Sequence, residues 1–558
     1  MANPSVALYL AQRLSDLGID RVFGVPGDYA FSFDDAVEEC TSLKWVACAN
    51  ELNASYAADG YARRFGAAIL STTYGVGELS ALNGMMGCYT ERVPVFHVVG
   101  APSRRITHQK LITHHTHGDG VFGNFEHLSQ SASCVSAVLT PANAISEIER
   151  VIHEALKNAR PAYIVVPMDS GKIPVIGTPI KGAPIAKIQR QIAVPSEVEA
   201  AADGIMGALK AAKNPLVLPS MLLQRYGLKE KLADFLNATN LPFALTPMDK
   251  GLVNENHPGF VGMYKGGSST PPSTQDIVES ADLILDLGGV VFEDLNTGLW
   301  SSNLTPERMI KVSDTWVQVG HKVWIDTALS EVLDALIAKA TKFASKVKTD
   351  QMQPLALKGV AADATNSENF YPRLQRMLRQ GDVLVAETGT CMIHLGAMQL
   401  PDGVGYESQM LWGSIGWGTP ASLGVAMANK EGRTVLVTGD GSHQLTYNEI
   451  GVMGRYNPNL VIFVLNNGIY GIEDVLSEMG HEYDDLAQVD YHKVPEAMGC
   501  KNWITAKVTT VGELEAVMSR INQSNSPAYV EVMIPAAESA PKSEDIKDRA
   551  YKLRTPAA

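Results

Sequence analysis

The chain reads as an α/β protein of three domains, each built on a doubly wound parallel sheet. Three observations predict this. Short apolar runs rich in Val, Ile and Leu alternate with helical stretches along the chain, the pattern of strands buried on both faces and joined through helices. The 558 residues exceed what one hydrophobic core organises, so roughly two to four domains are expected. Two polar stretches, 172–195 (rich in Pro, Gly and basic residues) and 341–358, interrupt the alternation. They divide the chain into domains at 1–185, 195–342 and 358–558.

Apolar residues at 6, 9, 10, 14 and 17 give residues 6–17 one apolar helical face. Residues 21–25 form a short strand ending in Pro26-Gly27-Asp28, and residues 44–48 form another that runs into Asn50-Glu51-Leu52-Asn53. A helix is expected over 54–64, with Gly60 as an interior weakness. Strands follow at 67–73, 94–99 and 162–166, and the Gly75-Val76-Gly77 turn opens a further helix. In the middle segment a helix begins near Ser196, with strands at 215–218 and 282–287. The last segment carries strands at 383–386, 434–438, 460–465 and 528–532, and a helix over 444–455 that stops before Pro458. The charged stretch from Glu538 reads as peripheral or helical.

Hydrophobic residues are 46% of the chain and charged residues 19%, as in ordinary globular proteins. The formal charge of −14 argues against a nucleic-acid surface. No apolar run reaches the ~18 residues of a membrane span, and the N-terminus lacks the basic and apolar regions of a signal peptide. The six cysteines are scattered without metal-binding spacing and read as reduced, mostly buried thiols of a cytoplasmic protein.

The most informative stretch is Gly439-Asp440-Gly441-Ser442, followed by helix, strand and Asn466-Asn467. Both turns lie at strand C-termini, where ligands sit in such sheets. Gly439 and Gly441 let backbone approach an anionic group, and the next helix points its N-terminus there. Asp440 and Asn467 offer hard oxygen ligands of the kind Mg²⁺ or Ca²⁺ takes beside a diphosphate. Taken alone, Asp440 reads equally well as a helix cap. A second Gly-Asp-Gly, at 118–120, lacks the following strand and Asn-Asn and reads as a loop.

Residues 439–467 resemble the diphosphate-binding motif of thiamine diphosphate enzymes. Gly468-Ile469-Tyr470-Gly471-Ile472-Glu473 is similar to the active-site segment of the pyruvate and indolepyruvate decarboxylase family. The resemblance extends from about residue 5 to about residue 535. It implies thiamine diphosphate with Mg²⁺ held by Asp440, Asn467 and Ile469, and cofactor contacts from Glu51, Thr388, Gly413, Ile415, Gly441 and Ser442. It makes Glu51 the partner of the aminopyrimidine ring, controlling its proton balance. Ile415 becomes the wedge that bends the cofactor, with the Gly413 carbonyl on its amino group. Asp28, His114 and His115 become the relay that supplies the proton for aldehyde release, a task imidazoles suit. Glu473 is set beside the substrate carboxylate, where like charges favour loss of CO₂.

The residues also have plainer readings. Glu51 and Glu473 fit helix-start glutamates, the His114-His115 pair a surface loop, and Ile415 ordinary core. The resemblance further implies a homodimer or homotetramer with sites between subunits. Pyruvate-specific members line the pocket with aromatic rings, where this chain has Leu295, Met392 and Ile393, so larger 2-keto acids are expected. A middle-domain cysteine found in some members is absent. Rival readings are a benzoylformate decarboxylase, an acetolactate synthase-type carboligase, or a non-catalytic scaffold. A nicotinamide dehydrogenase fits poorly, because no strand is followed by Gly-x-Gly-x-x-Gly.

Overall fold

The computed structural model describes residues 3–188, 191–298, 301–344, 352–477, 480–536 and 538. The charged stretch beyond Glu538 lies outside them. The N-terminal sheet contains β1 (Arg21–Gly24), β2 (Lys44–Ala47), β3 (Ala68–Thr73), β4 (Val95–Ala101), β5 (Val135–Val138) and β6 (Ala162–Pro167). They lie in the order β2-β1-β3-β4-β6-β5, every pair parallel.

The middle sheet contains β7 (Pro215–Pro219), β8 (Phe243–Leu245), β9 (Phe260–Met263), β10 (Leu283–Leu287), β11 (Met309–Val312), β12 (Trp316–Val319) and β13 (Lys322–Ile325). Here the all-parallel expectation needs correcting: β11-β12 and β12-β13 pair antiparallel at one edge. The links are too short for anything else. Only Gly320 and His321 join β12 to β13, whereas a parallel crossover needs a dozen residues or more.

The C-terminal sheet contains β14 (Val383–Ala386), β15 (Gly405–Ser408), β16 (Thr434–Gly439), β17 (Leu460–Asn466), β18 (Ile504–Val508) and β19 (Ala528–Met533). Its order, β15-β14-β16-β17-β19-β18, repeats that of the N-terminal sheet, again all parallel. Each sheet has its own apolar core, but the largest cluster spans the N-terminal and C-terminal sheets.

These two domains join along helix Glu51–Phe65 and helix Gly418–Ala428. A Cβ at Gly60 would stand 2.1 Å from the Ala421 carbonyl oxygen, and one at Gly424 would stand 1.9 Å from that of Ala57. Gly60 is therefore what lets the two helix backbones touch. Buried Asp59 ties the junction, accepting from Trp417 Nε1 at 2.7 Å and Arg63 Nε at 2.8 Å.

Two helix limits differ from expectation. The helix placed at 54–64 begins at Glu51, because the Asn50 side chain caps it by accepting from Asn53 N. The helix expected over 444–455 is two helices, Asp440–Gln444 and Glu449–Tyr456. Tertiary bonds hold the link between them: Thr446 Oγ1 donates to Gly416 O at 2.7 Å, and Asn53 Nδ2 donates to Asn448 Oδ1 at 2.9 Å. Residues 118–120 form no helix or strand, as read. The cysteines are unpaired, but only Cys88 and Cys391 are buried; the other four are half-buried. Among the described residues no helix is long and apolar enough to cross a membrane.

Candidate active site

Three neighbouring strands end at one edge of the C-terminal sheet. β16 pairs with β17 so that Gly439 faces Leu465, and β14 lies on its other side with Ala386 facing Val437. The chain therefore delivers Thr388, Asp440 and Asn467 side by side, where open α/β sheets bind ligands.

Asp440 is only 2% exposed. Its carboxylate accepts from Gly441 N at 3.0 Å and Gly468 N at 2.8 Å. Burial pushes its pKa up from 3.8 to about 6, against the pull of those N–H groups. A buried carboxylate in this position calls for a cation. It lines a cavity of about 100 Å³ with Thr388, Gly441, Ser442, Asn467 and Ile469. At Gly389 and Gly439, which line the same cavity, an added Cβ would meet no atom within 4 Å. Uncovered backbone, a recessed carboxylate and an amide oxygen form a donor set that fits a diphosphate bridged to a metal ion.

A second cavity, of about 270 Å³, adjoins the first. Thr388, Ile415 and Glu473 line both, so they stand at the junction. Leu295, Met392 and Ile393 share the wall of the larger one with Gly413. The loop carrying Gly413 and Ile415 is pinned from the N-terminal domain. Ser414 Oγ bonds Tyr56 OH at 2.7 Å, and Trp412 Nε1 donates to Asn83 Oδ1 at 2.8 Å. Gly413 has φ +62°, a conformation that favours glycine.

The other predicted residues form a separate group. His114 Nε2 lies 2.8 Å from Asp28 Oδ2, and both side chains are about half exposed. The His114 ring stacks on Tyr29 at 4.8 Å between centroids and meets the His115 ring edge-on at 4.7 Å. His115 has φ +60°, and its Nδ1 is buried without a partner among the described residues. Glu51 is the first residue of its helix, so the plain helix-start reading also describes its position. None of Asp28, Glu51, His114 and His115 lines either cavity of this chain. His117, unassigned by sequence, packs edge-on against Phe125 at 5.0 Å.

One residue beside the site escaped sequence reasoning. Glu387 is fully buried; its carboxylate accepts from Thr388 N at 3.0 Å and Gly418 N at 2.9 Å, linking the Thr388 turn to the end of the Gly413 loop. Burial raises its pKa to about 7. The available signal was an acidic residue directly after four apolar strand residues.

Two adjoining cavities at the carboxyl edge of a parallel sheet, one of them lined by a recessed carboxylate, suit an enzyme that binds an anionic cofactor. Residues 4–121 match the model of the thiamine pyrophosphate enzyme N-terminal TPP binding domain, 202–339 that of the central domain, and 388–532 that of the C-terminal TPP binding domain. The chain is 36% identical over 544 residues to an alpha-keto-acid decarboxylase of Mycolicibacterium paratuberculosis, covering 96% of this chain and 94% of that one. It is 35% identical over 549 residues to pyruvate decarboxylase isozyme 1 of Saccharomyces cerevisiae, covering 97% of each. The chain belongs to the family of thiamine diphosphate-dependent 2-keto acid decarboxylases.

Proposed function

We propose that this chain converts 2-keto acids with side chains larger than a methyl group to the aldehyde and CO₂, using thiamine diphosphate and Mg²⁺. The observation that carries the size preference is the placement of Leu295, Met392 and Ile393 in one cavity wall that also includes Glu473. Thiamine diphosphate, when bound, supplies the electron sink for the carbanion chemistry.

The protein's own groups hold and protonate. Asp440, Asn467 and the backbone oxygen of Ile469 would hold the metal, and Gly441, Ser442 and Thr388 would hold the diphosphate. Ile415 and the Gly413 carbonyl would position the cofactor, and Glu51 would control the proton balance of its pyrimidine ring. Glu473 lies against the substrate carboxylate and disfavours its retention. Asp28, His114 and His115 deliver the proton that releases the aldehyde.

The separation of this last set and Glu51 from the two cavities supports a site completed by the N-terminal domain of a second copy, hence a homodimer or homotetramer. Domain limits at 1–185, 195–342 and 358–558 leave each sheet whole, and unpaired thiols suit a reducing cytoplasm. The test is incubation with thiamine diphosphate, Mg²⁺ and a panel of 2-keto acids. Aldehyde and CO₂ in equal amounts, fastest from branched, long or aromatic acids, support this function. Condensation products in place of aldehyde, or no turnover, reject it.

A further inference from the structure

Glu387 lines neither cavity, yet it stands where the segments that build them meet. Its backbone is fixed by the sheet. β14 pairs with β16 up to Ala386, and Glu387 N extends the ladder by donating to Val437 O at 3.1 Å. The side chain is fully buried. Oε1 accepts from Thr388 N at 3.0 Å, and Oε2 accepts from Gly418 N at 2.9 Å. Thr438 Oγ1, one residue before Gly439, lies 3.5 Å from Oε2.

These bonds go to backbone, not to a counter-ion. None of the described Lys, Arg or His side chains pairs with Glu387. A strand end that only needed filling would carry an apolar residue, since burying a carboxylate without a cation is costly. What the carboxylate supplies is a pair of acceptors on one rigid plane, each making a charge-assisted bond to an N–H.

The two N–H groups belong to different parts of the site. Thr388 lines both cavities, and Gly418 opens helix Gly418–Ala428, directly after the loop that carries Gly413 and Ile415. One planar group thereby sets the spacing between those parts. The fit around it is close: a Cβ at Gly418 would stand 2.9 Å from Glu387 Oε2.

We propose that Glu387 is a positioning residue, whose carboxylate holds the Thr388 turn and the Gly413–Ile415 loop at the spacing that brings the reacting halves of bound thiamine diphosphate together. This rests on the cofactor lying across the two cavities. Glu387 acts through these segments on proximity, where a displacement of about 1 Å can cost on the order of 10²-fold.

The test uses two variants. In Glu387→Gln one acceptor becomes an NH₂ group that opposes an N–H. Gly418→Ala leaves Glu387 in place but pushes its carboxylate off the Gly418 bond, and it serves where Glu387→Gln does not fold. Thiamine diphosphate affinity is titrated in saturating Mg²⁺, exchange of the C2 proton of bound cofactor is followed by NMR, and the fold by thermal melts. Affinity stays within about threefold of wild type, because Asp440 and Asn467 are untouched. C2 exchange slows at least about tenfold, and kcat falls without a rise in KM for the 2-keto acid. Exchange at the wild-type rate in a folded variant overturns the proposal. So does a lowered melting temperature with exchange and kcat unchanged, which makes Glu387 merely structural. Lost affinity with normal exchange in the cofactor-bound fraction overturns it as well. A wild type that binds no thiamine diphosphate rejects the cofactor reading itself.

Discussion

Replacing Met392 by Trp tests the wide pocket directly. Met392 is buried and lines the about 270 Å³ cavity with Leu295 and Ile393. Methionine is unbranched and adaptable, so a long or planar side chain finds room beside it. Fully burying a side chain the size of Leu or Phe is worth roughly 1.5–3 kcal/mol, and each further methylene about 0.8 kcal/mol. Pyruvate, with one methyl, collects little of this. Converted at about 1.4 kcal/mol per decade, wild type should favour phenylpyruvate over pyruvate by about 10- to 100-fold in kcat/KM. An indole at position 392 fills the space the phenyl ring needs, and most of that ratio should vanish while pyruvate turnover changes little. Steady-state kinetics on both acids measure it. A wild type that prefers pyruvate, or a variant that loses activity equally on both, refutes the assignment of this wall to the substrate side chain.

Other outcomes follow from the same geometry. Asp440→Ala should lose thiamine diphosphate and activity irreversibly, whereas chelated wild type recovers both with Mg²⁺; tight cofactor binding by the variant contradicts the metal role. The raised pKa of Asp440, about 6, means the metal competes with a proton, so apparent Mg²⁺ affinity should drop about tenfold per pH unit below 6 and level off above it. In the metal-free protein the sign reverses: this carboxyl favours the fold when protonated, fully below about pH 4, and that contribution is lost as pH rises through 6. The gap between thermal melts with and without Mg²⁺ should therefore widen as pH rises from 4 to about 6 and stay constant above it. Glu51→Gln should retain cofactor while exchange of the thiazolium C2 proton, followed by NMR, slows on the order of 10²-fold; wild-type exchange would make Glu51 structural. His114→Leu or His115→Leu should slow aldehyde release more than CO₂ release, and weakened substrate binding alone contradicts the relay.

The parts of this molecule that were legible in sequence are those fixed by local pattern. Apolar runs located β14, β16, β17 and β19, and their spacing placed Asp440 and Asn467 at one sheet edge. What stayed hidden depends on distant partners. The break after Gln444 is set by Thr446 reaching Gly416 and Asn53 reaching Asn448, contacts no helical periodicity records. Gly60 looked like a flaw because its reason is the Ala421 carbonyl, some 360 residues away in sequence. The antiparallel edge at β12 and β13 was within reach: the two-residue Gly320-His321 link was there to read. Glu387 was passed over because its role is to accept hydrogen bonds from backbone that folds around it. The resemblance to a known family supplied the remaining roles, which motif spacing alone left open.

The most direct measurement concerns the claim that each site joins Asp440 and Glu473 of one chain to Glu51 and His114 of another. Glu51→Gln and Asp440→Ala are each inactive by this account, because each damages every site of its own homodimer. Unfolding, mixing and refolding them together should produce heterodimers in which one site carries both substitutions and the other carries neither. Such a mixture should regain roughly a quarter of wild-type decarboxylation, since about half the dimers are mixed and each has one intact site. If all these residues served one chain's own site, every site in the mixture would carry one substitution, and activity no higher than that of the two variants measured separately would contradict the account.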